Sequence, residues 1–210
     1  MITIAIAKGR MEDEALSLLA RTGVRFRGPL SNSRCLTATG DTGQYRAIFV
    51  KPADVAVYVE HGIADCGIVG RDMLLESQAD LHLPLDLEIA RCRLVVAGLS
   101  DSAMKSRGML RVATKYPRIA ADYFGKRGAP VEIIRLSGSV ELAPVLGLAD
   151  LIVDLVETGR TLRENGLSVI DVITDSSGRF VVNRASYQLK AEEIACLLDA
   201  LSQTVNGVKA

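Results

Sequence analysis

The chain has 210 residues, is 49% hydrophobic and 24% charged, and sets 25 Lys and Arg against 25 Asp and Glu. A formal net charge of +0 argues against a whole-domain nucleic-acid binder, which carries a basic surface, but allows a local basic cleft. No segment reaches the roughly 18 apolar residues of a membrane helix, and the apolar start lacks the leading charge of a signal peptide, so a cytoplasmic protein is expected.

Ile2–Ala7 reads as a buried strand ended by Lys8-Gly9-Arg10. Glu12, Asp13 and Glu14 suit the first turn of a helix whose apolar face is Ala15, Leu16, Leu19 and Ala20. Two cations beside helix-end N–H groups suggest an anion site; the alternative is two solvated charges on a surface loop. Arg21–Arg34 reads as loop or hairpin. Gln44–Val50 is a predicted strand, followed by a helix from Pro52 to Glu60 with Gly62 past its end. Asp65–Val69 is a brief strand that Gly70-Arg71-Asp72 turns into the helix Met73–Ser77. Leu85–Leu99 reads as one long strand that leaves a first domain and enters a second, with Ser100–Gly108 a polar loop after it. Strands at Leu110–Ala113 and Val131–Leu136 flank a helix over Arg118–Lys126. Ser137-Gly138-Ser139 leads into a helix over Val140–Leu146.

The stretch Ala149–Gly166, ADLIVDLVETGRTLRENG, carries the most chemistry. A strand, a tight loop with one glycine and a helix start is a geometry that binds phosphate through free N–H groups. Gly159 allows close approach, and the hydroxyls of Thr158 and Thr161 can donate. Asp154 adds a carboxylate that a bare anion site would not use and a ribose diol would. A plain strand–turn–helix with Thr161 as its N-cap fits the spacing equally well. Val169–Thr174 and Arg179–Asn183 read as strands around a polar turn, and Ala191–Val205 as a closing helix. The alternation implies an α/β fold with mostly parallel sheets and two small α/β domains with a central cleft: residues 1–90 and 176–210 form domain I, and 91–175 form domain II. Cys35, Cys66, Cys92 and Cys196 contain no CxxC pair, so buried free thiols are expected instead of a zinc site or disulfides.

The pieces IAKGRM, VEHGIADCGIVGRDML, RVATKYP, LSGSVELAPVLGLADLIVDLVETGRTL and NRAS together resemble the ATP phosphoribosyltransferases, in their short form, along nearly the whole chain. The resemblance implies a fold like type II periplasmic binding proteins. It implies attack of the adenine N1 of ATP on C1 of phosphoribosyl diphosphate, with Mg²⁺ required, giving phosphoribosyl-ATP and pyrophosphate in the first step of histidine biosynthesis. Short forms work with a regulatory subunit resembling histidyl-tRNA synthetase, and a homodimer is expected for the chain alone; neither nucleic acid nor membrane is an expected partner. By match to the family, Lys8, Arg10 and Arg34 would be the catalytic cations. Asp154, Glu157, Thr158, Gly159, Arg160 and Thr161 would hold phosphoribosyl diphosphate. Lys51, Asp72, Thr114, Ser137 and Glu141 would hold ATP or ribose, with Tyr116 beside them or purely structural. Asp72 would contact ATP or only cap a helix. At Lys51 the family commonly has Arg, so the planar fork is absent. The rivals are a phosphoribosyltransferase for another base and a two-lobed solute-binding protein.

Overall fold

The computed structural model of the chain describes residues 1–27, 35–99 and 109–207. Arg34 and the Ser100–Gly108 loop therefore lie outside the described residues. The chain divides into two compact units, Met1–Ala90 with Ser177–Ala210, and Arg91–Ser176.

The first unit is a six-stranded sheet. Its elements in chain order are β1 (Ile2–Ala7), α1 (Glu12–Arg21), β2 (Thr37–Thr39), β3 (Tyr45–Val50), α2 (Pro52–Glu60), β4 (Cys66–Gly70), α3 (Arg71–Ser77) and β5 (His82–Asp86). The second unit then holds β6 (Cys92–Leu99), β7 (Leu110–Thr114), α4 (Pro117–Lys126), β8 (Val131–Arg135), α5 (Leu142–Val145), β9 (Leu151–Val156), α6 (Arg160–Glu164) and β10 (Leu167–Ser176). The chain returns to the first unit with β11 (Gly178–Val182), α7 (Arg184–Leu189) and α8 (Ala191–Asn206). Strand orders are β2-β3-β1-β4-β11-β5 and β10-β6-β9-β7-β8. Only β3-β1-β4 in the first sheet and β9-β7-β8 in the second run parallel. The sheets are therefore mixed, where the alternation of elements had suggested mostly parallel ones.

β1 shows why a mostly apolar run becomes a central strand. Successive side chains point to opposite faces. Ile2, Ile4 and Ile6 pack with Leu19 of α1 and Ile194, Leu197 and Leu201 of α8. Ala5 and Ala7 pack on the other face with Val55 and Val59 of α2. Covered on both sides, the strand is apolar but for Thr3, its one residue that is only half-buried. At Gly67 of β4 an added Cβ would stand 2.9 Å from both Val55 and Val59, so glycine lets α2 lie against the sheet. The second unit repeats the pattern with Val95, Ala97, Ile152 and Val156 under Val140, Ala143 and Leu162.

The expected long strand over Leu85–Leu99 is two strands in two sheets. The break is fixed by hydrogen bonds: Leu87 N donates to Gly178 O, Gly178 N to Ile89 O, and Ala90 N to the Glu14 carboxylate, all at 2.9–3.0 Å. Glu88 and Ala90 take positive φ values of 58° and 48°, which no local apolar pattern announces. The short helix α7 was also missing from the sequence reading. Asn183 builds it: its Oδ1 accepts from Ser186 N at 2.9 Å, while its Nδ2 donates to the end carbonyls Val59 O and Glu60 O of α2. One side chain thus satisfies two helix termini. None of the four cysteines, all among the described residues, is joined in a disulfide; Cys66 and Cys92 are buried, Cys35 and Cys196 exposed. No helix of the described residues is long and apolar enough to cross a membrane.

Asp65 ties this closing segment to the sheet. It accepts from Lys190 Nζ at 2.7 Å, Ser186 Oγ at 2.8 Å and Thr3 N at 2.8 Å. Burial works to raise its pKa from the ordinary 3.8, but the bonds from Lys190, Thr3 and Ser186 outweigh it, so the carboxyl is lowered. A lowered carboxyl stabilises the fold above its unfolded value, and that contribution is lost as pH falls through the folded value. Asp65→Asn should therefore lower stability at pH 7 by about 1.5–3 kcal/mol, trimmed by the solvent around Lys190. It should also flatten the acid limb of stability against pH; urea unfolding between pH 7 and 3 reads both.

Candidate active site

In the first unit the parallel strands β3, β1 and β4 end along one edge. The Ala7–Val50 pairing sets Lys8 beside Lys51, and Lys8 N donates to Val50 O at 2.8 Å. Lys8 is half-buried, whereas Arg10 and Lys51 are exposed. Lys51 is the extended N-cap of α2, with Pro52 at the first helical position. Gly9 turns the chain at φ 95°, a conformation that glycine adopts without strain. Its N–H is not left open for a ligand: Glu12, only 7% exposed, reaches back so that its Oε2 accepts from Gly9 N at 3.2 Å. At this helix start the Gly9 amide is therefore taken by the chain's own carboxylate. Asp72 is 3% exposed in the first turn of α3. It folds over Gly70, where an added Cβ would collide with Asp72 Oδ1.

In the second unit β9, β7 and β8 end together. Their register is pinned at both ends of β7. Arg111 N donates to Asp150 Oδ2 at 2.8 Å and its guanidinium to Asp150 Oδ1 at 3.2 Å. The backbone bond and then the guanidinium hold the Asp150 carboxyl below its ordinary value. At the other end Thr114 is fully buried. Its hydroxyl donates to Val153 O at 2.6 Å and accepts from Tyr116 N at 2.8 Å. Thr114, expected to contact ATP or ribose, thus has its hydroxyl bonded within the chain, and Tyr116, for which a purely structural role was the alternative, is 3% exposed. Between them Lys115 emerges, and its Nζ lies 3.8 Å from Asp154 Oδ1. Asp154 is 7% exposed, and the same Oδ1 accepts from Leu155 N at 2.9 Å.

The loop after β9 is built as its spacing suggested, with one difference. Gly159, at φ 74°, is the N-cap of α6 and makes no side-chain cap; Thr161 lies inside the helix and is not the cap. Thr158 Oγ1 accepts from Arg160 N at 3.4 Å, and Arg163 donates to Thr158 O at 3.2 Å. Glu157, Thr158, Arg160 and Thr161 are exposed. Arg160 is turned along the helix onto Glu164 at 2.7 Å. Leu136 N donates to Thr114 O at 3.0 Å, which brings exposed Ser137 and half-buried Glu141 to the same sheet edge.

Asp154, the loop from Glu157 to Thr161, Ser137 and Glu141 thus share one edge of one sheet, and Lys8, Arg10 and Lys51 share an edge of the other. Lys115 was missed by the sequence reading, although it stands inside RVATKYP. Arg93 was missed too; it is exposed on β6 directly opposite Val156, the last residue before the loop. Both become visible only when neighbouring strands are set in register. Among the described residues no group of three or more His, Cys, Asp or Glu side chains is placed to hold a metal ion.

Residues 51–203 match the family model for ATP phosphoribosyltransferase. The chain is 48% identical over 206 residues to the ATP phosphoribosyltransferase of Sorangium cellulosum, covering 98% of this chain and 97% of that one. It is 49% identical over 205 residues to that of Geobacillus kaustophilus, covering 98% and 99%. Among solved structures, the ATP phosphoribosyl transferase (HisG:HisZ) complex from Thermotoga maritima matches with a TM-score of 0.88 and 38% identity over 100% of both chains. The BvgS VFT2 domain of Bordetella pertussis matches at TM-score 0.59 and 14% identity, covering 98% of this chain and 91% of that one, a likeness of fold alone. With a family model over most of its length and relatives near half identical from end to end, this chain belongs to the ATP phosphoribosyltransferase family.

Proposed function

We propose that the chain transfers phosphoribosyl from phosphoribosyl diphosphate to N1 of ATP, with the sugar phosphate held by the second unit at Asp154 and Glu157–Thr161. The observation that carries this reading is the juxtaposition of a nearly buried carboxylate, Asp154, with an exposed Gly-Thr loop three residues further on. The loop amides and the Thr158 and Thr161 hydroxyls donate to the 5′-phosphate, and Asp154 accepts from the ribose hydroxyls. Ser137 and Glu141 serve the ribose or ATP from the neighbouring loop. Lys8 and Arg10, with Arg34 and Lys51, take the anionic groups of the substrates.

The chemistry needs cations more than a base. Neutral adenine N1 has no proton to lose when it attacks. Charge builds on the departing pyrophosphate while the ribose becomes oxocarbenium-like, and fixed positive groups near the diphosphate lower that barrier; removing one such contact costs about 10²–10³ in rate in comparable sites. Mg²⁺ suits this arrangement as an ion carried by the substrate's phosphates, since it is commonly held by them with few protein ligands; bound there it neutralises the leaving group. A regulatory subunit resembling histidyl-tRNA synthetase is the proposed partner, in keeping with the two-component Thermotoga maritima complex, and the cytoplasm the proposed compartment.

The test is a phosphoribosyl-diphosphate-dependent release of pyrophosphate assayed with ATP and with other bases. Adduct absorbance should appear with ATP only; turnover of another base in its place would overturn the assignment. Gly159→Ala with Thr161→Ala should raise KM for phosphoribosyl diphosphate at least tenfold and leave the fold intact, because the first substitution strains a positive-φ turn and the second removes a donor. An unchanged KM would remove the loop from the site. Histidine should inhibit turnover only when the regulatory subunit is added, and strong inhibition of the chain alone would contradict the two-component reading.

A further inference from the structure

We infer that Lys115 is a positioning residue for the sugar site, pairing with the Asp154 carboxylate and holding it aimed for the ribose hydroxyls. This rests on the reading of Asp154 as the ribose acceptor.

Asp154 is a charge sunk at the end of a sheet, and its own side chain is 10% exposed. A carboxylate so placed calls for a counter-charge and fixed hydrogen bonds. The structure supplies both on one oxygen: Oδ1 accepts from Leu155 N at 2.9 Å and faces Lys115 Nζ at 3.8 Å. Lys115 is placed for this by two neighbours. The Thr114 hydroxyl ties β7 to Val153 O of β9 and, through Tyr116 N, bends the chain just after Lys115. The parallel pairing of Thr114 with Val153 then sets residue 115 next to residue 154 on the same face. The Lys115 side chain is 39% exposed, so it is not a core filler, and its charge lies where an incoming polyanion would otherwise meet a bare carboxylate. A cation at this point removes that repulsion without occupying the loop that takes the phosphate.

The test is a double-mutant cycle on the full chain, with the dissociation constant for phosphoribosyl diphosphate measured by calorimetry and KM and kcat measured in the assembled enzyme. Lys115→Met should weaken phosphoribosyl diphosphate binding about tenfold, leave KM for ATP unchanged and change kcat less than threefold. Lys115→Arg should restore affinity to within about threefold, which a purely steric role would not predict. In an Asp154→Asn background, which should itself bind more weakly, Lys115→Met should add little. A full tenfold further loss in that background would mean that Lys115 touches the substrate directly and would overturn the inference. Normal affinity in Lys115→Met beside a weakened Asp154→Asn would overturn it too, leaving the sugar site in place. Normal affinity in Asp154→Asn would instead remove the sugar-site reading and the inference with it. Lys115→Gln, compared by thermal unfolding, separates loss of binding from loss of fold.

Discussion

A carboxylate held nearly out of water is the constraint on which the second unit turns. Asp154 is tolerable at 7% exposure only if its environment replaces lost hydration with fixed dipoles and a cation. Those groups come from a neighbouring strand, so the strand register has to be held. The pinning is double. Arg111 grips Asp150 at the start of the β7–β9 pair, and Thr114 grips Val153 O at its end. A one-residue slip would turn every side chain to the opposite face and carry Asp154 away from Lys115.

The same register places the loop. β9 has three strand or loop neighbours at its carboxyl end: Arg93 of β6 opposite Val156, Lys115 after β7, and Ser137 after β8, which is tied in through Leu136. Parallel strands ending side by side gather residues distant in sequence at one edge, which is why ligands of open α/β sheets bind there. Antiparallel β6 and β10 cover the other side of β9 and bring the chain back to the first unit.

Much of this was legible in order along the chain. β1 was readable because both its faces are buried, α2 because Pro52 and Gly62 mark its ends, and the Gly159 turn because its residue types permit little else. What escaped depended on partners distant in sequence. The break between β5 and β6 is made by Gly178 and Glu14, α7 by Asn183 joining the end of α2, and the mixed sheets by strand pairing that no single strand encodes. For the candidate site, residue types were readable but accessibility was not. Thr114 and Asp72 resemble ligand groups by kind, yet Thr114 is buried at the end of β7 and Asp72 in the first turn of α3. Lys115 looked like part of a junction because its carboxylate lies 39 residues further along the chain.

The two sheet edges treat negative charge in opposite ways. After β9, Gly159 opens α6 with no acidic residue in the first turn, so the loop amides face no competing carboxylate from their own helix. After β1, α1 begins with Glu12, Asp13 and Glu14, and Glu12 already takes the Gly9 amide. That helix start is filled by its own acid, and Glu12 Oε1 is left buried without a hydrogen-bond partner among the described residues. On the proposed function, anion binding on the first unit draws on the cationic side chains of Lys8, Arg10 and Lys51, of which the lysines are flexible point charges and the arginine a planar fork. Fixed dipoles suit a group that must be held still, such as a 5′-phosphate that anchors the sugar. Flexible cations suit a group that must be gripped and then released, such as a departing diphosphate. On the function proposed above, the acidic start of α1 takes the Gly9 amide for Glu12 and leaves the diphosphate to side-chain cations.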